Sequence, residues 1–467
     1  MFRCPRLTCA VTLIVMATAV TSTSAQPAVT DWPMYQFDLK HTGKSTAAGP
    51  GAGTQGVQVK WTYRSVSWVK NQIAIGPTVP PPNAGIPGQA VFFGDAKFPL
   101  CMVDPNRADA DPATWCTDIG GFVNTSSPAI GNPVGGVQTI YMGDRNNVFW
   151  AIDSKTHQPL WHWKIPLDGD VRASPIINPV NGTVYGSCGC TTTGVLYAWD
   201  KTPTPGPDGV AEPKWTVYVR PSIRYSQPAG FFPTASSPFR IYVGTADGQL
   251  AAIDDNGATG GVPGERGGPN GPNWTLKLKI GKARATKNYR SSPSIGPDGT
   301  IYIGTNRGLF AVKDHGDHGE VRSVFTGNVA GEWDTAFAID GVNVGGRART
   351  VLYASLFSAN FRTFYAIDIT DPALPQKLFQ YGPFRGTTGT GHAVTPAPVV
   401  DANGIVYAAV GSTIFAFDTK NTDLANPQPV WTFTLTNRGD AISLAVGSNI
   451  LYVAAKDYTL YALEAKP

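Results

Sequence analysis

Charge is sparse in this sequence: Asp, Glu, Lys and Arg make up only 15% of its 467 residues, and the formal net charge is +4. No run of Lys or Arg occurs anywhere along it. A chain without a basic stripe lacks the electrostatic footprint for nucleic acid or for an anionic membrane, so neither is expected as a partner. Long hydrophobic runs are equally scarce. The one apolar stretch near the start, Ala10 to Val20, is too short to span a bilayer as a stable helix, and nothing later reaches spanning length. No membrane insertion is therefore expected. The six cysteines include no adjacent pair and no Cys-x-x-Cys-His, which excludes an attached c-type haem. A phosphate-cradling loop, a Ser-His-Asp order and a paired-carboxylate motif are missing too. Sites assembled from distant segments leave no such linear trace.

What the sequence has in quantity is Gly (52), Pro (39) and short apolar segments rich in Val, Ile, Tyr and Phe. That is the profile of many strands joined by turns. With 42% hydrophobic residues there is ample material for a core. Residues 1–25 read as a secretory signal: Arg3 and Arg6 precede the apolar stretch, and Thr23-Ser24-Ala25 offers a small-residue cleavage site. Cys9 precedes the apolar run, which disfavours a lipoprotein anchor. A secreted or periplasmic protein is expected. Cys4 and Cys9 leave with the signal, and an even set remains, as suits an oxidising compartment. Cys101 and Cys116 sit near adjacent strands and are expected to pair. Cys188-Gly189-Cys190 either closes a tight ring or stays reduced, and no second pair at metal-binding spacing accompanies it.

Two strand signatures recur with a period of about 50 residues, in the range of propeller blades. The first is apolar–aromatic–apolar–small: Val91-Phe92-Phe93-Gly94, Ile140-Tyr141-Met142-Gly143, Val184-Tyr185-Gly186-Ser187, Ile241-Tyr242-Val243-Gly244, Ile301-Tyr302-Ile303-Gly304, Leu352-Tyr353-Ala354-Ser355, Val406-Tyr407-Ala408-Ala409 and Leu451-Tyr452-Val453-Ala454. The second follows a polar turn, as in Phe149-Trp150-Ala151-Ile152-Asp153 or Leu196-Tyr197-Ala198-Trp199-Asp200, and has a degraded first copy at Leu100-Cys101-Met102-Val103-Asp104. Alternation puts successive side chains on opposite sheet faces, and both faces of a blade are covered by neighbours. The closing Asp accepts N–H groups of the outgoing turn, a structural role.

A Trp or apolar residue marks each outer strand: Trp115, Trp161, Trp215, Trp274, Val324, Phe379 and Trp431. The last unit lacks one, and Val57 to Tyr63, with Trp61, supplies it from the other end. Closing the ring this way removes two exposed edges at once. Each unit opens with a Ser-Ser-Pro-like segment (Ser126-Ser127-Pro128, Ala173-Ser174-Pro175, Ser291-Ser292-Pro293, Val394-Thr395-Pro396), expected as the innermost strand where backbones converge. The expected fold is all-β, an eight-bladed β-propeller of four-stranded antiparallel blades over residues 57–467, with a lead-in segment at 26–56. A monomer is expected.

The string Ala151-Ile152-Asp153-Ser154-Lys155-Thr156-His157-Gln158-Pro159-Leu160-Trp161 resembles the tryptophan-docking repeat of pyrroloquinoline-quinone-like (PQQ-like) propellers, with His157 where that motif usually has Gly. Asp31-Trp32-Pro33-Met34-Tyr35-Gln36-Phe37-Asp38 and His41-Thr42-Gly43 resemble the opening of such chains. The resemblance covers about residues 31 to 466. It implies the fold, and it implies one of several activities. The family includes quinoprotein alcohol dehydrogenases, which use PQQ, a divalent cation (usually Ca²⁺) and a carboxylate base. It also includes the propeller lipoprotein of the outer-membrane β-barrel assembly machine, and sensor or scaffold domains. Fold alone does not choose among these.

Propeller ligands sit at the axial mouth, among residues just before the innermost strands. Those positions here hold Asn124, Arg172, Tyr289, Arg290, Trp333, Asp334, His392 and Asp440. Arg172 and Arg290 can hold carboxylates bidentately, and Asp334 and Asp440 can bind a cation or act as a catalytic base. Asn124, Tyr289, Trp333 and His392 would complete a ligand-binding set. The structural alternative is that these groups pair with one another in a solvated funnel. His315-Gly316-Asp317-His318 reads as a surface turn, and the insertions Thr202–Pro213 and Asn256–Asn273 as outer loops open to partner contact. Two functions follow: a non-catalytic propeller that binds a protein or polymer partner, or a PQQ- and Ca²⁺-dependent dehydrogenase.

Overall fold

The structure is a computed structural model that describes residues 32–467 except 52, 54, 78–88, 104–113, 122–124, 134–136, 167–168, 191–192, 224–225, 256–270, 282, 286–290, 328–330, 334, 359–360, 386–395 and 437–438. Its strands form eight four-stranded antiparallel sheets and one small two-stranded ladder. Seven sheets are meanders in chain order. Blade 2, for example, runs from axis to rim as Ala129–Ile130, Thr139–Gly143, Val148–Asp153 and Pro159–Lys164. Blade 8 takes Ala441–Gly447, Ile450–Ala455 and Thr459–Ala465 from the end of the chain and Val57–Arg64 from its beginning. The protein is an eight-bladed β-propeller closed by its N-terminal strand.

Register explains the repeat. In six blades the Ala of the second run stands opposite the outer aromatic: Ala151 with Trp161, Ala198 with Trp215, Ala252 with Trp274, Ala366 with Phe379, Ala416 with Trp431, and Ala462 with Trp61 across the closure. A methyl group leaves room for the ring to lie across the sheet. In blade 5 Ala311 stands opposite Ser323 rather than Val324, so the expected outer position moves by one residue. The indole edge then reaches the next blade. Trp215 Nε1 and Tyr185 OH both donate to the Asp255 carboxylate, at 2.8 and 2.6 Å. Trp274 Nε1 and Tyr242 OH do the same to Asp314, at 3.1 and 2.6 Å. Hydrogen bonds to an ionised acceptor are roughly twice as strong as neutral ones, so each pair stitches neighbouring blades.

The small residue after each first run is needed for close approach. A Cβ on Gly143 would fall on Val171, and one on Gly304 would fall on the Trp333 carbonyl oxygen. The Ser-Ser-Pro segments do more than save space. The hydroxyls of Ser126, Ser226 and Ser291 accept the N–H groups of Gly143, Gly244 and Gly304 at 2.8–2.9 Å. The next residue in each segment joins a belt around the axis. Gln72 N–H donates to Ser127 Oγ (2.9 Å), Ser127 N–H to Ser174 Oγ (2.8 Å), Ser174 N–H to Gln227 Oε1, and Gln227 N–H to Ser292 Oγ (3.0 Å).

The lead-in segment lies inside the ring. Trp32 exchanges both backbone hydrogen bonds with Ile75. The carbonyls of Pro33, Leu39, Lys40, Thr42, Gly43 and Ala48 then accept N–H groups from Ile130, Gly230, Ile295, Ile339, Val400 and Asn449, all at 2.7–2.8 Å. Those donors belong to the axial side of blades 2, 4, 5, 6, 7 and 8. Trp32, Gln36, His41 and Ser45 are buried in the channel they fill. One stretch of chain thus satisfies the open edges of innermost strands that would otherwise face the axis unpaired.

Cys101 and Cys116 pair directly across the third and outer strands of blade 1 and form a disulfide. Cys188 and Cys190 are also bonded to each other, which resolves the second pair as a closed ring. The insertion at 202–213 is not an open loop. His162 N–H donates to Gly209 O (3.0 Å) and Ala211 N–H to His162 O (2.9 Å), so the insertion adds a short parallel bridge to the outer edge of blade 2. Most of the second insertion lies outside the described residues. Among the described residues no helix is long and apolar enough to cross a membrane.

Candidate functional site at the axial mouth

Two sets of loops share one face of the ring: the turns entering the innermost strands, and the hairpins joining second and third strands. They are bonded to one another between blades. Ser65 N–H donates to Tyr458 O (2.8 Å), Val171 to Asp144 O (3.0 Å), Trp333 to Thr305 O (3.1 Å) and Ala441 to Gly411 O (2.8 Å). This interlocking holds side chains from four blades in one place.

Of the axial set read from the sequence, Asn124, Tyr289, Arg290, Asp334 and His392 lie outside the described residues. Arg172 stands at the entry to blade 3. Its guanidinium binds the Asp170 carboxylate through Nε at 2.6 Å and through a second nitrogen. Asp440 stands at the entry to blade 8, with Lys456 Nζ 3.9 Å from its carboxylate. Trp333, at the entry to blade 6, is only 1% exposed, and its indole packs against Phe325 and Tyr365 as part of the core.

The structure adds residues to this rim that the sequence reading did not single out. Arg145, on the blade 2 hairpin, places Nε 3.4 Å from the same Asp170 oxygen that Arg172 holds. Lys70, on the turn into blade 1, lies with Nζ 4.2 Å from the centre of the Trp68 ring. Trp68 stacks in turn on Tyr458 of the blade 8 hairpin. Burial of Lys70, and then the positive charges of Arg145, Arg172 and Lys456, hold its ammonium below the usual lysine range. Four cations from blades 1, 2, 3 and 8 therefore share one field. Beneath them Asp170 is fixed from behind, because Gly189 N–H, between the bonded Cys188 and Cys190, donates to the Asp170 carbonyl at 3.2 Å. Burial raises the Asp144 carboxyl at the base of the blade 2 hairpin, although Trp150 Nε1 and two backbone N–H groups donate to it. One signal was available for Lys70: it precedes the innermost strand of blade 1 as Arg172 precedes that of blade 3. The degraded first copy of the repeat hid that equivalence.

A quinone tricarboxylate with its cation asks for guanidinium donors, an aromatic face and a cluster of oxygen ligands. Among the described residues Arg172 is engaged by Asp170, Trp333 presents no open face, and no group of three or more His, Cys, Asp or Glu side chains stands ready to hold a metal ion. The described residues do not by themselves fit that group.

No protein-family model and no curated protein sequence matches the chain. Solved structures do resemble it. BamB from Moraxella catarrhalis is 14% identical, with a TM-score of 0.55 over 88% of this chain and 98% of that one. The quinohemoprotein alcohol dehydrogenase from Comamonas testosteroni is 11% identical, with a TM-score of 0.60 over 94% and 81%. Sqt1 from Saccharomyces cerevisiae is 12% identical, with a TM-score of 0.59 over 88% and 100%. At such identities the likeness shows the fold alone, a β-propeller shared by proteins of different function.

Proposed function

We propose that the protein is an exported, non-catalytic propeller that binds a protein partner through its axial rim. The observation that carries this reading is the loop 65–70. It leaves Val66 62% and Trp68 40% exposed, on a ring whose channel is filled from within by its own chain. An exposed indole beside an exposed aliphatic residue is the composition of an interface core, with charged groups around it as a rim. Two disulfides suit an oxidising compartment outside the cytoplasm. The protein acts as a monomer.

The test runs both functions side by side. A photo-crosslinking residue placed at position 66 of the full exported chain should capture one discrete protein in the native host. The purified protein, mixed with PQQ and CaCl₂, should give no alcohol-dependent dye reduction. Saturable quinone binding with turnover, abolished by Asp334→Ala, would replace this reading with the dehydrogenase.

A further inference from the structure

We propose that the two-stranded ladder between blades 4 and 5 is a docking finger for an extended acidic segment of a protein, held by Lys277 and Lys279 with Arg284 opposite them in register. The site lies across the ring from loop 65–70, which joins blades 8 and 1, and goes beyond the reading above.

Among the described residues this ladder is the one sheet that belongs to no blade. Its strands, Lys279–Ile280 and Ala283–Arg284, follow the outer strand of blade 4, Trp274–Lys277, on the axial-mouth face. The base of the finger is fixed. Leu278 N–H donates to Gly248 O (3.1 Å), Ala285 N–H donates to Leu278 O (2.8 Å), and both residues are fully buried. A Cβ on Gly248 would fall on the Ala285 carbonyl, so the finger stands tight against the blade 4 hairpin. Beyond that base Ile280 is 39% exposed, and Lys279 pairs directly with Arg284. Like charges directly opposite each other destabilise a ladder, and one of only two pairs has little to offset them. Blade 4 is complete without this element. An anion seated beside the pair turns its repulsion into attraction.

The charge balance holds with every acid around the finger counted. The sequence has no Asp or Glu between Glu265 and Asp298. Four loops flank the finger on the same face: 220–228 into blade 4, the 245–249 hairpin of blade 4, the 305–308 hairpin of blade 5, and 326–337 into blade 6. They are tied in pairs, Ala246 N–H to Ser222 O and Trp333 N–H to Thr305 O. Their acids are Asp247, Glu332 and Asp334, and their cations are Arg220, Arg224 and Arg307. These loops are therefore neutral among themselves. Asp247 already accepts from Thr245 Oγ1 (2.6 Å) and Gln249 Nε2 (2.9 and 3.0 Å). The finger's own cations are left over, and exposed Lys277 and Lys279 make no ion pair with any described residue.

Spacing selects the kind of anion. Lys277 and Lys279 are exposed on either side of buried Leu278, so they face the same way, about 7 Å apart along extended chain. An extended peptide repeats its side chains at the same interval, and acids at alternate positions meet both lysines in step. A layer of lipid headgroups or a free inorganic anion has no such repeat. Ile280 at the tip gives the segment an apolar contact as well.

The experiment uses the full mature chain and a fluorescein-labelled peptide of about twelve residues in which Glu alternates with Thr. Two controls accompany it: the same composition with its Glu residues in one block, and the alternating peptide with Gln for Glu. Anisotropy at low salt should show saturable binding of the alternating peptide, weaker binding of the block peptide and none of the Gln peptide. K277E/K279E should weaken the alternating peptide by about tenfold or more, as expected for reversed charge at a complementary contact. The charge-matched K155E/K377E, whose lysines are exposed away from the finger, should bind as the parent does. An unchanged thermal midpoint in each variant separates loss of the contact from loss of the fold. Binding that K277E/K279E leaves intact overturns the proposal, as does no binding, or equal binding of the block peptide. Tighter binding to vesicles of phosphatidylglycerol and phosphatidylcholine, lost in the same variant, overturns it in favour of a lipid surface. Capture at position 66 reports on the other side of the ring. If that capture persists while the alternating peptide does not bind, the reading of loop 65–70 stands and the finger assignment falls.

Discussion

His157 lies flat on Trp115, with ring centroids 3.8 Å apart and planes 14° from parallel. The imidazole comes from the turn of blade 2 and the indole from the outer strand of blade 1. His157 holds φ at +63°, a region that glycine adopts freely. The histidine therefore accepts backbone strain and returns a stacked ring. His157→Gly should change stability by less than about 1 kcal/mol, because relief at φ offsets the lost stack. His157→Val should cost about 2 kcal/mol or more, since a β-branched residue resists positive φ and has no ring to stack. Urea midpoints of the two variants check this, and equal losses would show that the backbone conformation does not matter.

This pair also shows why the ring was legible in the sequence. Blade number, strand order and closure at Trp61 follow from repeats of local chemistry, and six of the eight repeats state the same register between an Ala and an aromatic. The course of residues 32–48 was not legible. Its bonds are made by backbone carbonyls, which carry no side-chain signature, to strands spread over nearly the whole chain. The insertion at 202–213 was unreadable for the same reason: its dock on His162 is a main-chain bridge.

The two disulfides should differ in what they contribute. The Cys101–Cys116 bond closes a loop of 15 residues, which on chain-entropy grounds stabilises the fold by about 3 kcal/mol. The Cys188–Cys190 bond spans a separation of two residues and removes little freedom from the unfolded chain. C101S/C116S should lower the thermal midpoint by several degrees, whereas C188S/C190S should leave it nearly unchanged. Calorimetry of both variants, with a free-thiol count on the parent, decides it. A larger loss in the second pair would assign it a role in holding the Asp170 loop.

Site residues were harder to read than blades, and the reason is physical. Arg172 and Asp440 were found because they occupy a repeated position just before an innermost strand. Arg145 and Lys456 sit on the hairpins between second and third strands, outside the repeated strand signatures. Trp333 occupies a repeated position too, yet its neighbours Phe325 and Tyr365 draw the indole inward, and position alone does not tell an aromatic that faces a channel from one that packs beneath it.

Acid should loosen the axis through His41. Its Nδ1 lies 2.9 Å from the Pro293 carbonyl oxygen, and burial pushes its pKa from 6.5 down to about 4. The unfolded chain takes up the proton first, so this contribution is fully present above about pH 6.5 and is lost as pH falls toward 4; it amounts to something on the order of 3 kcal/mol. Asp38 on the same segment has a carboxyl raised by burial and works in the opposite sense at low pH. A comparison with His41→Gln isolates the imidazole. Wild type should lose stability relative to the variant between pH 7 and 4.5, read from denaturant midpoints, and parallel curves would exclude His41 as the cause.

Gly304 offers a sharper test of inter-blade distance. An added methyl would overlap the Trp333 carbonyl oxygen and Cβ, and a backbone atom cannot swing aside as a flexible side-chain end does. Gly304→Ala should cost about 2–3 kcal/mol as blades 5 and 6 are forced apart. Gly341→Ala, where nothing lies near the added methyl, should be within about 0.5 kcal/mol of wild type.

Deleting either N-terminal element should produce different failures, because each seals a different boundary. Removing Val57–Arg64 strips the outermost strand from blade 8 and exposes the edge of Thr459–Ala465, a long apolar strand that pairs with it over most of its length. An open edge of that kind recruits other chains, so this variant should aggregate or form higher oligomers on size exclusion. Removing residues up to 50 leaves the rim closed but unpairs the axial sides of blades 1, 2, 4, 5, 6, 7 and 8, whose freed N–H groups water can reach down the opened channel. That variant should stay monomeric with a β-rich circular dichroism spectrum, melt well below the parent, and be cut by protease within the innermost strands first. If both deletions gave the same aggregating species, the lead-in segment would be part of the closure itself.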